Sequence, residues 1–217
     1  MSTPHFNLAV LISGNGSNLQ ALIDACASSA LPNTRITHVI SNRKAAYGLE
    51  RAKKASIPTS YHNLVPYKKK HAETLDGAQV ARAEYDADLA KIVLNLDPRP
   101  DVIVCAGWMH IVTPDFLNPI AEADIKIINL HPALPGEFAG AGAIERAWQA
   151  FQKGDIKRTG VMIHEVIAEV DAGKAIVTQE VPLREGESLE DLEQRIHGIE
   201  HELIVEGTRR TLATIKR

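Results

Sequence analysis

The feature that most constrains the fold of this chain is the alternation of short apolar runs with segments of helical periodicity. Leu8–Ile12 is a continuous apolar run, which suits a strand buried on both faces. A glycine-rich turn, Ser13-Gly-Asn-Gly-Ser17, follows this run. After the turn, apolar residues recur at helical spacing, namely Leu19, Leu22, Ile23 and Cys26. The chain therefore opens with a strand, a glycine-rich turn and a helix.

The same alternation continues through the middle of the chain. The pattern predicts further strands at 36–41, 58–62, 102–106 and 125–131, and helices at 47–55 and 85–96. Pro98 and Pro100 end the second of these helices. Val65–Gly77 is interpreted as a polar stretch. Strands that alternate with helices indicate βαβ units and a mainly parallel, twisted sheet.

Beyond Gly154 the pattern changes. Thr159–Val170 and Ala175–Val181 are strand-like runs separated by a short turn, which indicates an antiparallel pair. Ser188-Leu-Glu-Asp191 resembles a capping box, and the helical spacing after it predicts a long C-terminal helix. We therefore expect an α/β fold of the Rossmann-like, doubly wound type. It has a mostly parallel sheet, an antiparallel C-terminal strand pair and a long C-terminal helix.

Composition excludes several classes of function. The chain has 24 Lys and Arg against 27 Asp and Glu, and a net charge of −3 provides no basic surface for nucleic acid. The two cysteines, Cys26 and Cys105, lie in apolar segments, unlike the disulfide framework of a secreted protein. No apolar run is long enough to span a membrane, and no secretory signal is evident. We expect one cytoplasmic domain, 1–217, without membrane or nucleic-acid partners.

The glycine-rich turn is a candidate anion site. Glycine lets a backbone turn tightly, and the helix N-terminus behind it offers unpaired N–H groups to a phosphate. A tight turn without a ligand explains this segment equally well. The dinucleotide fingerprint fits poorly, because Leu19 occupies the third glycine position and no acidic residue follows the second strand. Because Arg43 or Lys44 could bind the 2′-phosphate of NADP, this dinucleotide stays open as a ligand. A phosphomonoester is nevertheless the simpler ligand.

Asn129 and His131 form the most informative pair in the sequence. Residues two apart on a strand point to the same face, so both project near the C-terminal end of their strand, where open α/β sheets bind ligands. An amide and a protonated imidazole can both donate hydrogen bonds to charge that develops on a carbonyl oxygen. Asp171 is a candidate partner that would raise the pKa of the imidazole. Taken alone, Asp171 is equally well explained as an ordinary turn residue, because Asp is common in turns.

No metal site is predicted. His197 and His201 lie four residues apart on the last predicted helix, but the HExxH pattern of a zinc site is missing. His164 lies in the middle of a strand and is interpreted as a structural or supporting residue.

Four segments together resemble the phosphoribosylglycinamide formyltransferase family, which is folate-dependent and acts in de novo purine synthesis. These segments are Leu11–Leu19, Ala106–Met109, Asn129–Pro132 and Val170–Gly173, and the similarity runs from about Phe6 to beyond Glu200. The resemblance implies transfer of a formyl group from 10-formyltetrahydrofolate to the amine of glycinamide ribonucleotide through a tetrahedral intermediate. It also implies two halves within one domain, a phosphate-binding half at 6–106 and a folate-binding, catalytic half at 107–217.

The resemblance also assigns roles to residues. Asn129 and protonated His131 would hold the oxyanion, and Asp171 would raise the His131 pKa and pass protons. The ribonucleotide and its phosphate would be bound by Gly16, Ser17, Asn18, Leu19, Gln20 and Glu200. The folate would contact Arg82, Met109, His110, Ile111, Val112, Asn129, Ile167, Ala168, Glu169 and Val170. The resemblance implies a monomer or a weak homodimer that needs no metal.

The chain departs from the family pattern in a few places. Ala133–Glu137 replaces a bacterial Ser-Leu-Leu-Pro, and no histidine occurs in the segment 140–143. His110 stands where many relatives have arginine. The stretch at 65–77 is longer than in compact bacterial members, and these features resemble fungal members.

Other functions stay open at this point. A 10-formyltetrahydrofolate hydrolase usually has an additional N-terminal regulatory domain, and methionyl-tRNA formyltransferase an additional C-terminal one. A chain of 217 residues fits neither arrangement. A nucleotide-binding protein without chemistry would explain the glycine turn, but it would leave Asn129, His131 and Asp171 without a shared role.

Overall fold

The structure is a computed structural model that describes residues 5–73 and 75–216. It consists of two compact units, Met1–Ile127 and Ile128–Arg217. Within the described part of the chain, no helix is long and apolar enough to cross a membrane. Cys26 and Cys105 are both unbridged thiols.

The first unit is built from a parallel set of strands and helices. Its elements are β1 Phe6–Ile12, α1 Ser17–Cys26, β2 Thr34–Ser41, α2 Gly48–Lys54, β3 Thr59–Tyr61, α3 Val65–Lys70, α4 Gly77–Leu94, β4 Val102–Cys105 and α5 Pro114–Glu122. Strand β1 pairs in parallel with β2 and with β4, and β3 pairs in parallel with β2. The apolar run of β1 is completely buried from Leu8 to Ile12, as expected for a central parallel strand.

The second unit is antiparallel and contains the long C-terminal helix. Strand β5, Lys126–His131, leads into it from the first unit. The other elements are α6 Ala143–Gln152, β6 Arg158–Glu165, β7 Ala175–Pro182 and α7 Leu189–Leu212. Both β5 and β7 pair antiparallel with β6. Helix α7 packs on β6 and β7, and its N-terminus is capped by Ser188 Oγ, which accepts the Asp191 N–H at 3.1 Å. The predicted fold class is confirmed.

Some elements differ from the prediction. The sequence pattern predicts neither α5 nor α6. Pro114 suits the first position of α5, but Pro119 lies inside the helix, where proline normally weighs against helical structure. Helix α3 lies within the stretch interpreted only as polar. The predicted strand 159–170 is wrong beyond Glu165, because the chain turns there and the Glu165 N–H closes a loop onto the Lys174 carbonyl at 2.9 Å.

Candidate active site

Three side chains of the second unit meet near the end of β5. His131 Nδ1 lies 3.4 Å from Asp171 Oδ2, and Asn129 Nδ2 donates to Asp171 Oδ1 at 3.4 Å. Asn129 and His131 are two residues apart on β5 and therefore share a face. The imidazole and the carboxylate are both largely buried, with 6% and 11% of their side chains exposed. The structure thus brings together the three residues that the sequence singles out.

Asp171 reaches this position because the β6–β7 loop has an unusual backbone. Asp171 itself adopts φ 53°, in the left-handed region that Asp tolerates better than most residues. At Gly173 a side chain would collide with the Glu165 carbonyl oxygen, so only glycine fits there. The Gly140 N–H donates to Asp171 Oδ2 at 2.8 Å and fixes the carboxylate from its other side.

His164 is a fourth side chain in this group. The sequence alone predicts only a structural or supporting role for it. It lies directly opposite Asn129 in the antiparallel register of β5 and β6. Its Nε2 is 3.1 Å from Asn129 Nδ2 and its Nδ1 is 2.9 Å from the Glu165 carbonyl oxygen. With the proton on Nδ1, the ring accepts from the Asn129 amide. A second proton on Nε2 would instead be donated to Asp171 Oδ1, 3.4 Å away.

The His131 ring faces a hydrogen-bond acceptor on each side. Nδ1 faces the Asp171 carboxylate, and Nε2 lies 3.2 Å from the Phe138 carbonyl oxygen. That carbonyl also accepts from Arg146 Nη2 at 2.6 Å, as does the Ala139 carbonyl at 2.8 Å. Two acceptors suit a doubly protonated ring, because only the imidazolium has two N–H donors. A substrate oxygen that takes a proton from Nε2 must replace the Phe138 carbonyl.

The pKa of His131 shifts in the opposite direction from the expectation. Burial lowers the pKa of His131 below its ordinary value, and this effect outweighs the Asp171 carboxylate, which acts to raise it. The resting ring is therefore mostly neutral at neutral pH. Burial also acts to raise the pKa of Asp171, but hydrogen bonds from His164 and from the Gly140 N–H hold it below its ordinary value. Asp171 is consequently ionised and ready to stabilise a proton on His131.

The glycine-rich turn belongs to the first unit. Gly16 stands at the N-terminus of α1 with φ 76°, and no side chain caps this helix end. A Cβ on Gly16 would lie 2.6 Å from Gly48 Cα, and the Gly48 N–H donates to the Gly14 carbonyl at 3.1 Å. The close approach and the positive φ require glycine at position 16. The uncapped N-terminus of α1 suits an anion. Leu19 is fully buried, so only its backbone is available to a ligand.

Arg51 of α2 holds this turn, and sequence reasoning misses it. Its Nε donates to the Asn15 carbonyl at 3.0 Å and its Nη2 to Asn15 Oδ1 at 2.9 Å. A third contact, from Nη1 to Gln20 Oε1, is 3.4 Å long. The guanidinium thus fixes the backbone of the turn and places a positive charge beside it. No local pattern points to Arg51, because its contacts with Asn15 join residues 36 positions apart.

The residues expected to contact folate fall in both units. In the first unit Met109 and Ile111 are 61% and 50% exposed, and Arg82 Nη2 donates to the Ile111 carbonyl. Val112 is buried, and the side chain of His110 is turned toward Asp86. In the second unit the loop residues are exposed, namely Ile167, Ala168, Glu169 and Val170. Glu200, expected to contact the ribonucleotide, is a buried residue of α7.

In the described ranges, no group of three or more His, Cys, Asp or Glu side chains is placed to hold a metal ion. The site beside β5 consists of an amide, an imidazole and a carboxylate, with a second imidazole in contact with the amide. Such a group can hold an oxyanion and move a proton.

The family is shown by comparison with known proteins. Residues 6–208 match the family model described as formyl transferase, so the chain belongs to the formyl transferase family. Within this family, its relatives include the phosphoribosylglycinamide formyltransferase of Schizosaccharomyces pombe, which is 54% identical over 202 residues, 93% of this chain and 94% of the relative. The enzyme of the same name from Dictyostelium discoideum is 50% identical over 204 residues, 93% of this chain and 96% of the relative.

Solved structures agree with this placement. The crystal structure of phosphoribosylglycinamide formyltransferase from Campylobacter jejuni superposes with a TM-score of 0.80 at 30% identity and covers 97% of this chain and 100% of that one. Glycinamide ribonucleotide transformylase 1 from Symbiobacterium toebii gives a TM-score of 0.77 at 34% identity, over 94% of this chain and 86% of that one.

Proposed function

We propose that this chain transfers a formyl group from 10-formyltetrahydrofolate to the amine of glycinamide ribonucleotide, a step of de novo purine synthesis that leads to IMP. The observation that carries the proposal is the meeting of Asn129, His131 and Asp171 at the end of β5. The names of relatives that match nearly the whole chain supply the acceptor and the transferred formyl group, and the family resemblance supplies the folate donor.

The chemistry follows from the side chains of this group. The substrate amine attacks the formyl carbon, a C–N bond forms, and the carbonyl oxygen becomes an oxyanion. Asn129 Nδ2 and an N–H of His131 donate hydrogen bonds to that oxyanion. The attacking nitrogen then loses a proton, which passes through Asp171 or water to His131. The imidazolium gives a proton to N10 of the folate as the C–N10 bond breaks, and tetrahydrofolate leaves.

The lowered pKa of His131 fits this order of events. A ring that is neutral at rest can take the proton that the amine loses, and the Asp171 carboxylate stabilises the imidazolium while it exists. A hydrogen bond to a short-lived charge contributes to the rate because it is strongest in the transition state.

Binding is assigned to the remaining residues. The N–H groups at Gly16–Leu19 would take the phosphate. The Gln20 N–H donates to the Gly16 carbonyl at 2.9 Å, so Gln20 would contribute its side chain. Glu200 would accept hydrogen bonds from the ribonucleotide. The folate would lie against Met109–Val112 and Ile167–Val170. We further propose a single cytoplasmic domain, 1–217, with the halves 6–106 and 107–217. It would act as a monomer or weak homodimer on small molecules, without a metal, a nucleic acid or a membrane.

A direct assay of product tests the proposal. The protein is incubated with 10-formyltetrahydrofolate, with and without glycinamide ribonucleotide, and the formylated ribonucleotide, tetrahydrofolate and formate are quantified. We expect one formylated ribonucleotide per tetrahydrofolate and no formate above the background without protein. Formate release that does not need the ribonucleotide would replace the proposal with the hydrolase alternative. Failure to consume either substrate would favour a binding protein without chemistry.

A further inference from the structure

The backbone of the segment Gly107–Thr113, between β4 and α5, is fixed by hydrogen bonds to residues from elsewhere in the first unit. Ser13 Oγ accepts the Met109 N–H at 2.7 Å, and the Ser13 N–H donates to the Gly107 carbonyl at 3.0 Å. Arg82 Nη2 donates to the Ile111 carbonyl at 2.6 Å. We call Gly107–Thr113 the β4–α5 segment.

The strongest tie comes from Asp86 of α4. Its carboxylate is fully buried, and both oxygens are used. Oδ1 lies 2.7 Å from His110 Nε2, and Oδ2 accepts the Thr113 N–H at 2.6 Å. While the carboxylate stays buried, a shift of either partner away from it is strongly disfavoured, because the charge would then lose its compensation.

The partner imidazole is equally enclosed. Only 8% of the His110 side chain is exposed, and its ring packs edge-on against Tyr85 at 4.9 Å between centroids. The imidazole is therefore held by its contact with Asp86 and is turned away from solvent. Position 110 can contact a ligand only through its backbone while this pair persists.

The fixed backbone holds two apolar side chains outward. Met109 and Ile111 are 61% and 50% exposed, whereas Val112, next to Ile111, is 9% exposed. Large apolar side chains displayed by a rigid segment are suited to packing against the face of a flat, aromatic ligand ring.

We propose that Asp86 is a positioning residue for the folate cosubstrate. By pairing with His110 and the Thr113 N–H, it keeps the β4–α5 segment in its binding shape, so that Met109 and Ile111 meet the pteridine ring without prior rearrangement. This inference rests on the proposed function, in which this segment lines the folate site. A segment ordered in advance loses less conformational entropy when the ligand binds, and affinity rises accordingly.

The contact between Asp86 and His110 predicts that chemically similar variants will differ in their affinity for folate. Asp86→Asn keeps the size of the side chain but replaces one acceptor oxygen with a donor, which opposes either the Thr113 N–H or the His110 N–H. His110→Ala leaves the buried carboxylate without its partner. His110→Gln retains an N–H donor that can reach Asp86. Asp88→Asn is the matched control, because Asp88 lies two residues further along α4 with its side chain 43% exposed and pairs with Lys91.

The experiment measures kcat and both KM values for the full-length protein, together with the Kd of tetrahydrofolate from tryptophan fluorescence. We expect Asp86→Asn and His110→Ala to raise the KM for 10-formyltetrahydrofolate and the Kd of tetrahydrofolate about tenfold, on the order of 1.4 kcal/mol. The KM for the ribonucleotide should stay within about twofold of the wild-type value. His110→Gln and Asp88→Asn should stay close to wild type.

Two results would overturn the inference. One is an unchanged KM and Kd for folate in both Asp86→Asn and His110→Ala, with only a lower melting temperature, since that pattern means a structural role alone. The other is a His110→Gln variant as impaired as His110→Ala. If Asp86→Asn does not fold, the comparison of the two His110 variants decides the question. A wild-type protein that neither binds tetrahydrofolate nor transfers a formyl group would instead overturn the proposed function itself.

Discussion

His131 Nδ1 lies 3.4 Å from Oδ2 of Asp171, a residue 40 positions further along the chain. The distance is long for a hydrogen bond to a neutral ring, and it can shorten when the ring gains a proton, because charged pairs make shorter hydrogen bonds. The carboxylate is thus placed to act on the imidazolium that forms during the reaction more than on the resting imidazole.

Removal of this charge should slow the chemistry. Asp171→Asn keeps the shape of the side chain but loses the charge that stabilises protonated His131, so we expect kcat to fall at least about tenfold. Steady-state kinetics at saturating substrate concentrations measure this decrease in kcat. Both KM values should change little, and a kcat within about twofold of wild type would show that the carboxylate does not assist the reaction.

The lowered pKa of His131 predicts a pH dependence of stability. Between its folded-state pKa and its unfolded value of about 6.5, the unfolded chain binds more protons at this residue. The free energy of unfolding therefore rises with pH through this window, and His131 contributes a destabilisation that is complete below it. Urea unfolding at about pH 5 and pH 7.5 should show a larger difference for wild type than for His131→Gln. Equal differences would contradict the assignment of a lowered pKa.

A substitution at Gly173 tests whether the backbone of the β6–β7 loop positions the Asp171 carboxylate. In Gly173→Ala the new methyl group meets the Glu165 carbonyl, so the β6–β7 loop must shift and carry the Asp171 carboxylate away from His131. We expect kcat to fall at least about tenfold, as for loss of the carboxylate itself. Gly198→Ala in α7 is a control, because a Cβ there meets open space. Equal kcat values for the two variants would mean that the loop tolerates a side chain at Gly173.

A substitution at Arg51 tests whether the glycine-rich turn binds the ribonucleotide. Arg51→Ala removes the hydrogen bonds to Asn15 and one positive charge, so we expect the KM for glycinamide ribonucleotide to rise about tenfold. The KM for 10-formyltetrahydrofolate should not change. Lys54→Ala, on the same helix, is the charge-matched control. A parallel loss in both variants would point to a general charge effect and away from support of the turn.

Local sequence patterns predict much of this molecule. The positive φ of Gly16 and the buried run of β1 follow from backbone sterics and apolar periodicity. The shared face of Asn129 and His131 follows from the period of a strand. These features depend only on residues close together in sequence.

The rest depends on contacts between distant residues, which periodicity does not encode. His164 meets Asn129 only through the register of β5 and β6, and Asp86 meets His110 only through the packing of α4 beside the β4–α5 segment. The pKa of His131 is another case, because its direction is decided by burial, and burial is known only once the chain is folded.

His131 is the central residue of the proposed mechanism, and the single-turnover rate of formyl transfer measures its contribution to the chemical step. Excess wild-type protein or His131→Ala is mixed with limiting 10-formyltetrahydrofolate and saturating glycinamide ribonucleotide, and formylated ribonucleotide is followed in time. We expect the chemical step to be at least about tenfold slower in the variant, with binding of both substrates retained. A chemical step as fast as in the wild-type protein would contradict the proposed mechanism.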